Sequence, residues 1–258
     1  MPRPLEPISP VLRIGLGISF FVLFVAAWAW LTFGGHVARI FLADPLTMLA
    51  DGWRLIVEDN FLLDIAITIW RVFGGFVLAS VIAVPLGIMM GAWKPVEAFF
   101  EPFVSFARYL PASAFIPLLI LWAGIGEVEK LLVIFIGSFF QIVLMVAVAV
   151  GNTRRDLVEA AYTLGSTSTG IVRRVIIPAN APDIAETLRL VLGWAWTYVI
   201  VAELIGSSSG IGYMIINSQS RLATGQIIFG IIVIGLIGLV SDFLFKMLNR
   251  ALFAWRLA

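Results

Sequence analysis

No cysteine occurs anywhere in the 258 residues. That excludes disulfides and thiolate metal sites and leaves the redox compartment undetermined. Histidine occurs once, at His36, so a histidine-rich metal centre is impossible. Charge is scarce as well. Asp, Glu, Lys and Arg make up 13% of the chain and the formal net charge is +1, which offers no electrostatic footprint for nucleic acid. What remains is apolar: 61% of residues are hydrophobic, far beyond the composition of a soluble globular domain.

Several apolar runs reach the roughly 20 residues that cross a bilayer at 1.5 Å rise per residue. They are Ile14–Phe33, Ile65–Gly91, Phe99–Ala123, Lys130–Val150, Ala185–Gly206 and Ile227–Leu248. The expectation is an all-α integral membrane protein with about six spans in one domain, residues 1–258. Within it, 1–64 form a first span and an external segment, and 65–248 form core spans with a loop at 151–180. The first run exceeds the roughly 7–15 residues of a signal-peptide core, so it reads as a retained span. If the spans alternate, Arg3, Arg13, Lys94, Arg154, Arg155, Arg173, Arg174, Lys246, Arg250 and Arg256 share one side. The opposite side receives Asp44, Asp51, Glu58, Asp59 and Asp64 against Arg39 and Arg54. The positive-inside rule then puts both termini and the 151–180 loop in the cytoplasm.

Individual spans carry further signals. Asp44-Pro45 reads as the start of a surface helix whose Leu46, Leu49 and Trp53 face inward. Gly75, Ala79, Ala83, Gly87 and Gly91 recur every four residues, a ladder that lets another helix come close. It serves either packing within one subunit or a seam that slides. Pro85 is expected to loosen that span midway. The third run is interrupted by Arg108, Pro111, Ser113 and Pro117. Irregular backbone at membrane depth survives only beside protein or a watery cavity, and broken helices point to a substrate pathway. Candidate pathway residues are therefore Arg108, Pro111 and Ser113, with Gln141, Trp196 and Glu203 from later spans. For Gln141 the plainer reading is an interhelical hydrogen bond. Glu203, costly in lipid, either pairs with Arg71 or Arg108 or lines the pathway.

Thr153–Pro178, TRRDLVEAAYTLGSTSTGIVRRVIIP, is the longest interior stretch unsuited to hydrocarbon. Thr153 and Asp156 resemble a capping box. Leu157, Ala160, Ala161 and Leu164 then follow at helical spacing as a one-sided apolar stripe. Gly165 suits a left-handed stop, Ser166 and Ser168 can cap a second helix, and Pro178 limits how far it runs. A short helix, a turn and a second helix between two spans form a surface for another protein. A helix lying on lipid is the plainer alternative, but the stripe offers no aromatic anchor.

Two other motifs fail. Gly206-Ser207-Ser208-Ser209-Gly210 has the nucleophile-elbow spacing but neither strand nor histidine partner. Gly165 to Gly170 has P-loop glycine spacing, yet Ile171 and Val172 stand where Lys and Ser or Thr are needed.

Glu159-Ala160-Ala161, Gly165 and Val175-Ile176-Ile177-Pro178 together resemble the EAA loop of ABC-importer permeases. TIWRVFGGFVLASVIAVPLGIMMG and RYLPASAFIPLLILWAGIGEVEK are similar to the nitrate/sulfonate/taurine branch of that family. The resemblance covers most of Thr68 to Ile215. It implies the type I ABC importer transmembrane-domain fold in a bacterial inner membrane. It also implies a second permease copy, two ABC ATPase subunits, and a periplasmic or lipid-anchored solute-binding protein. ATP and Mg would sit on the ATPases, with no cofactor on this non-catalytic chain. Leu157, Glu159, Ala160, Ala161, Leu164, Gly165 and Pro178 would carry the coupling, and the solute would be a small anion or zwitterion. The alternative is a self-sufficient secondary transporter or channel, which predicts inverted repeats and mid-membrane ion-coupling residues. No clear repeat is visible.

Overall fold

The computed structural model describes residues 8–256, and each regular element among them is helical. In chain order these are α1 (Pro10–Phe33), α2 (Pro45–Glu58), α3 (Phe61–Ala92), α4 (Lys94–Ala107), α5 (Ile116–Ala123) and α6 (Glu127–Gly151). They continue as α7 (Arg155–Thr163), α8 (Ser168–Ile171), α9 (Ile177–Leu204), α10 (Ile211–Ser220) and α11 (Thr224–Leu252). Five stretches are long and apolar enough to cross a membrane: α1, α3, α6, Ser168–Leu204 and α11. A sixth crossing is available if α4 and Ala112–Ala123, bent by 84°, count as one span. Each of the six apolar runs falls on one of these, and the interrupted third run is the bent pair.

The helices group into two units. Of the described residues, one holds 8–61 with Ile215–Ile232; the other holds Leu62–Met214 with 233–256.

In the first unit, α1 presents Phe20, Phe21, Leu23 and Phe24 outward, as a lipid-facing helix does. The Trp28 indole donates to the Ala43 carbonyl at 3.0 Å. Asp44 caps α2 as expected, accepting the Thr47 N–H at 2.9 Å and its hydroxyl at 2.8 Å. Those bonds hold the Asp44 carboxyl below its ordinary range. The inward face of α2 differs from the expectation. Met48, Gly52 and Leu55 are buried, while Leu46, Leu49 and Trp53 are exposed. Gly52 lies directly against the Phe229 ring, so the helix turns its one side-chain-free position to the close contact.

The second unit is built on α6. Its Ile134, Ile142, Val143, Val146 and Val150 pack with Val72, Phe76, Ala79 and Ala83 of α3 and with Val191, Leu192, Ala195 and Val199 of α9. The small-residue ladder of α3 is part of this contact. A Cβ on Gly75 would lie 2.7 Å from Ile134 Cβ, one on Gly87 2.7 Å from the Val143 carbonyl, and one on Gly91 2.6 Å from the Ala147 carbonyl. The ladder therefore serves packing within the subunit. Pro85 does not interrupt α3, which runs unbroken for 32 residues.

Three outcomes follow for stability. Gly87→Leu is expected to lower the thermal midpoint of the purified protein, since overpacking costs about 1–3 kcal/mol. Gly235→Ala, with open space around the new Cβ inside α11, should not lower the midpoint, because Ala favours a helix interior over Gly. Asp44→Ala should cost about 0.5–2 kcal/mol at neutral pH through the lost cap. Because the folded pKa of Asp44 is depressed, that stabilisation exists above the unfolded value and disappears as pH falls through the folded one. Melting curves of both proteins along an acid series should therefore converge.

Candidate functional site

Between α6 and α9 the chain forms the expected helix, turn and helix. Gly165 takes φ +81°; its N–H donates to the Tyr162 carbonyl at 2.9 Å and the Ser166 N–H to Ala161 at 3.0 Å. These are the paired bonds of a Schellman stop. The apolar stripe divides. Ala161 is buried in the chain's own core, whereas Leu157, Glu159, Ala160 and Leu164 are exposed, Leu164 at 85%.

Three local expectations are corrected. Thr153 does not cap α7: its hydroxyl donates to the Val150 carbonyl at 2.6 Å and accepts from the buried Asn180 amide at 2.7 Å. Thr167, rather than Ser166 or Ser168, caps α8 by accepting the Gly170 N–H at 3.2 Å. Pro178 does not limit the second helix either. A π-helical turn at Val172–Ile176 joins α8 to α9, and Pro178 sits in the first turn of α9, where a missing N–H is tolerated. The rod then continues to Leu204.

At the opposite ends of α6 and α9 lies a buried ionic cluster. Arg71 of α3 is 1% exposed. It donates to Glu203 and to the Ser209 carbonyl, both at 2.8 Å, and forks onto the Glu127 carboxylate. Glu203 also accepts the Thr68 hydroxyl at 2.9 Å and the Gly212 N–H at 2.8 Å. Gly210, at φ +103°, lies against that carboxylate, and its N–H donates to Asp64. The cluster ties α3, the start of α6, the end of α9 and the 205–210 loop together. Of the two partners weighed for Glu203, the structure selects Arg71. The sequence did not single out Glu127 as an ionic partner, nor the buried Glu129–Lys130 pair at 3.3 Å. The signal was there, as three ionisable residues opening an otherwise apolar run.

The break in the third span lines a cleft. α4 ends at Ala107, the chain turns through Arg108–Pro111, and a tight 3₁₀ turn at Ala112–Phe115 leads into α5. One cavity of about 610 Å³ is lined by Arg108 and by Gln141, Asn152, Asn180, Asp183 and Thr187 of α6, α9 and the segment after α6. A recess of about 170 Å³ shares Arg108 and Gln141 and adds Tyr109, Pro111, Gly137 and Tyr198. The Tyr198 ring lies against the backbone of Gly137, where a side chain would collide with it. Gln141 makes no hydrogen bond among the described residues, so the interhelical bond expected of it is absent. Arg108, Pro111 and Gln141 thus meet at one place. Ser113 is exposed and lines neither cavity. Trp196 is buried edge-on to Phe73, with ring centroids 6.3 Å apart, and Glu203 sits in the ionic cluster. Tyr198 and Asn180 were not among the candidate pathway residues, because nothing in the sequence shows which polar groups of separate helices share one cleft.

Comparison with known proteins places these features in a family. The family described as "Binding-protein-dependent transport system inner membrane component" matches residues 83–254. A probable ABC transporter permease protein of Brucella abortus (strain 2308) is 35% identical over 243 residues, covering 94% of this chain and 96% of that protein. A putative aliphatic sulfonates transport permease, SsuC of Bacillus subtilis (strain 168), is 37% identical over 163 residues, 63% of this chain and 59% of that one. The taurine transport system permease TauC of Escherichia coli (strain K12) is 31% identical over 160 residues, 62% of this chain and 58% of that one. The match thus spans about three fifths of the sulfonate and taurine relatives. Among solved structures, the MetNI methionine ABC transporter in an inward-facing form aligns with TM-score 0.66 at 19% identity, over 74% of this chain and 94% of that one. That likeness supports the type I ABC importer transmembrane fold.

The ionic cluster predicts an order of effects. Arg71→Met strands the buried Glu203 carboxylate and should cost about 3–5 kcal/mol. Glu127→Gln should cost much less, because that side chain is 53% exposed and water replaces the lost charge. Thermal midpoints in one detergent check the order; equal losses would contradict it.

Proposed function

The chain belongs to the family of binding-protein-dependent transport system inner membrane components, and from that membership we propose that it is the permease subunit of an ATP-driven importer for a small anionic or zwitterionic solute. The observation that carries the reading is the exposed helix–turn–helix between α6 and α9. Leu157, Glu159, Ala160 and Leu164 stand clear of the chain's own core, presented at a turn whose shape depends on Gly165. Such a face fits a groove on a separate ATPase subunit, and the failed P-loop pattern leaves nucleotide chemistry to that partner.

The route for mechanical coupling is physical. Ala161 and Val158 pack into the core that α6 and α9 share, and the Asn180–Thr153 bond joins the start of α9 to the end of the α6 segment. A displacement of α7 is therefore passed to the two helices that wall the cleft. In the working assembly two permease copies line one pathway and two ATPases grip their α7 loops. ATP binding closes the ATPases and draws the loops together, turning the pathway outward; hydrolysis and release reverse it. A periplasmic or lipid-anchored binding protein delivers solute to the side opposite the loops. The assembly lies in a bacterial inner membrane with both termini in the cytoplasm. Relatives named for sulfonates, taurine and nitrate support the solute class.

Glu159→Lys and Gly165→Pro should leave membrane insertion intact, abolish ATPase co-purification and reduce solute uptake at least tenfold. Unchanged co-purification and uptake in both variants would refute the coupling role. Uphill transport by the purified chain without any ATPase would replace the importer with a self-sufficient carrier.

A further inference from the structure

Most basic groups set among the long helices of the second unit are neutralised within the chain. Arg71 meets Glu127 and Glu203, Lys130 meets Glu129, and Arg189 meets Glu186 and Asp242. Arg108 is different. No ion pair within 4.0 Å is found for it among the described residues, although Asp183 and Glu186 line the larger cleft with it. Its guanidinium is held by Tyr109, donating to the hydroxyl at 2.7 Å and lying 4.7 Å from the ring centroid. Those contacts orient the group without cancelling its charge. Arg108 is exposed at the break of a span, beside a cleft, and an ionisable group placed there is a candidate for a solute or ion pathway.

Two further polar groups share the recess. Gln141 and Tyr198 line it with Arg108, and neither side chain makes a hydrogen bond among the described residues. Gln141 is the single amide in an apolar stretch of α6, and Tyr198 is seated by the absent side chain of Gly137. Three polar side chains with unused hydrogen-bonding capacity, converging on a small concave space, are the usual make-up of a ligand site. The recess of about 170 Å³ has room for about five waters at ~30 Å³ each, the size of a compact oxyanion. It shares the lining residues Arg108 and Gln141 with the larger cleft that runs along α6 to Asn152, about 16 Å away at 1.5 Å per residue.

We infer that Arg108, Gln141 and Tyr198 form an oxyanion subsite in the translocation cleft. The planar guanidinium takes two oxygens of a sulfonate, carboxylate or nitrate in its fork, exchanging its Tyr109 hydroxyl contact for the ligand. The Gln141 amide and the Tyr198 hydroxyl donate to the oxygens that remain, and the rest of the solute extends into the cleft. Arg108 is thereby the residue that selects anions. This role in transport rests on the importer reading; the binding itself does not.

The absence of cysteine supplies the test. A single reporter thiol is placed at Leu144→Cys, on the cleft wall one turn from Gln141, in the full chain in lipid nanodiscs. Its modification rates by anionic sulfonatoethyl and cationic trimethylammonioethyl methanethiosulfonate are compared at constant ionic strength. The anionic-to-cationic rate ratio should fall about tenfold on Arg108→Gln and be retained in Arg108→Lys. Sodium methanesulfonate or sodium nitrate should slow labelling of the parent and not of Arg108→Gln. Tyr198→Phe and Gln141→Leu should weaken that protection while keeping the ratio. An unchanged ratio and unchanged protection in a normally melting Arg108→Gln protein would overturn the subsite. Uptake by the permease–ATPase assembly separates the two claims. Anion-sensitive labelling without uptake leaves the subsite standing and removes the importer. Uptake with the same KM in Arg108→Gln removes the subsite and leaves the importer.

Discussion

Hydrocarbon gives two apolar helices no reason to leave it for each other, so helices in a bilayer hold together by closeness. The approach of α3 to α6 is the contact on which the second unit depends. Gly75, Gly87 and Gly91 bring the α3 backbone to the carbonyls of Leu131, Val143 and Ala147, and Ala79 and Ala83 are fully buried between them. With α6 anchored on that side, its other flank is free to carry α9. The cleft occupies the part of that flank where Gln141, Asn152 and Asn180 replace apolar side chains.

The same scarcity of water governs the charges. A buried ion must be met by the chain itself, and Arg71 meets the buried Glu203 carboxylate while forking onto the half-exposed Glu127. That cluster makes one end of the bundle rigid. The other end carries the α7 loop, joined to the core by Ala161 and by the Thr153–Asn180 bond but otherwise projecting. The uncancelled Arg108 lies between these ends, at the broken span.

Much of this was legible before any coordinates. The six apolar runs, the interruption at Arg108–Pro117, the four-residue ladder on α3, the cap at Asp44 and the left-handed stop at Gly165 each express a local rule. Span length, proline geometry, side-chain size and backbone freedom act over a few residues. Errors arose where a distant partner decided the outcome. Leu46, Leu49 and Trp53 turned outward because Phe229 meets Gly52. Thr153 gave up its cap because Asn180, 27 residues later, claimed its oxygen. Pro178 is the exception: its reason is local, since a π turn at Val172–Ile176 leads into it and the helix runs on.

The sequence by itself determined that this chain crosses a membrane several times, that its third span is broken, and that a helix–turn–helix projects between the fourth and fifth. Those properties follow from the length and polarity of continuous segments, which a linear chain displays openly. Only the tertiary structure decided which ionisable groups cancel and which is left uncancelled. It paired Glu203 with Arg71 across 132 residues of chain, buried Trp196, and left Arg108 facing Gln141 and Tyr198 across a recess. Which charge meets which depends on how helices are placed side by side, and neighbours in space need not be neighbours in sequence.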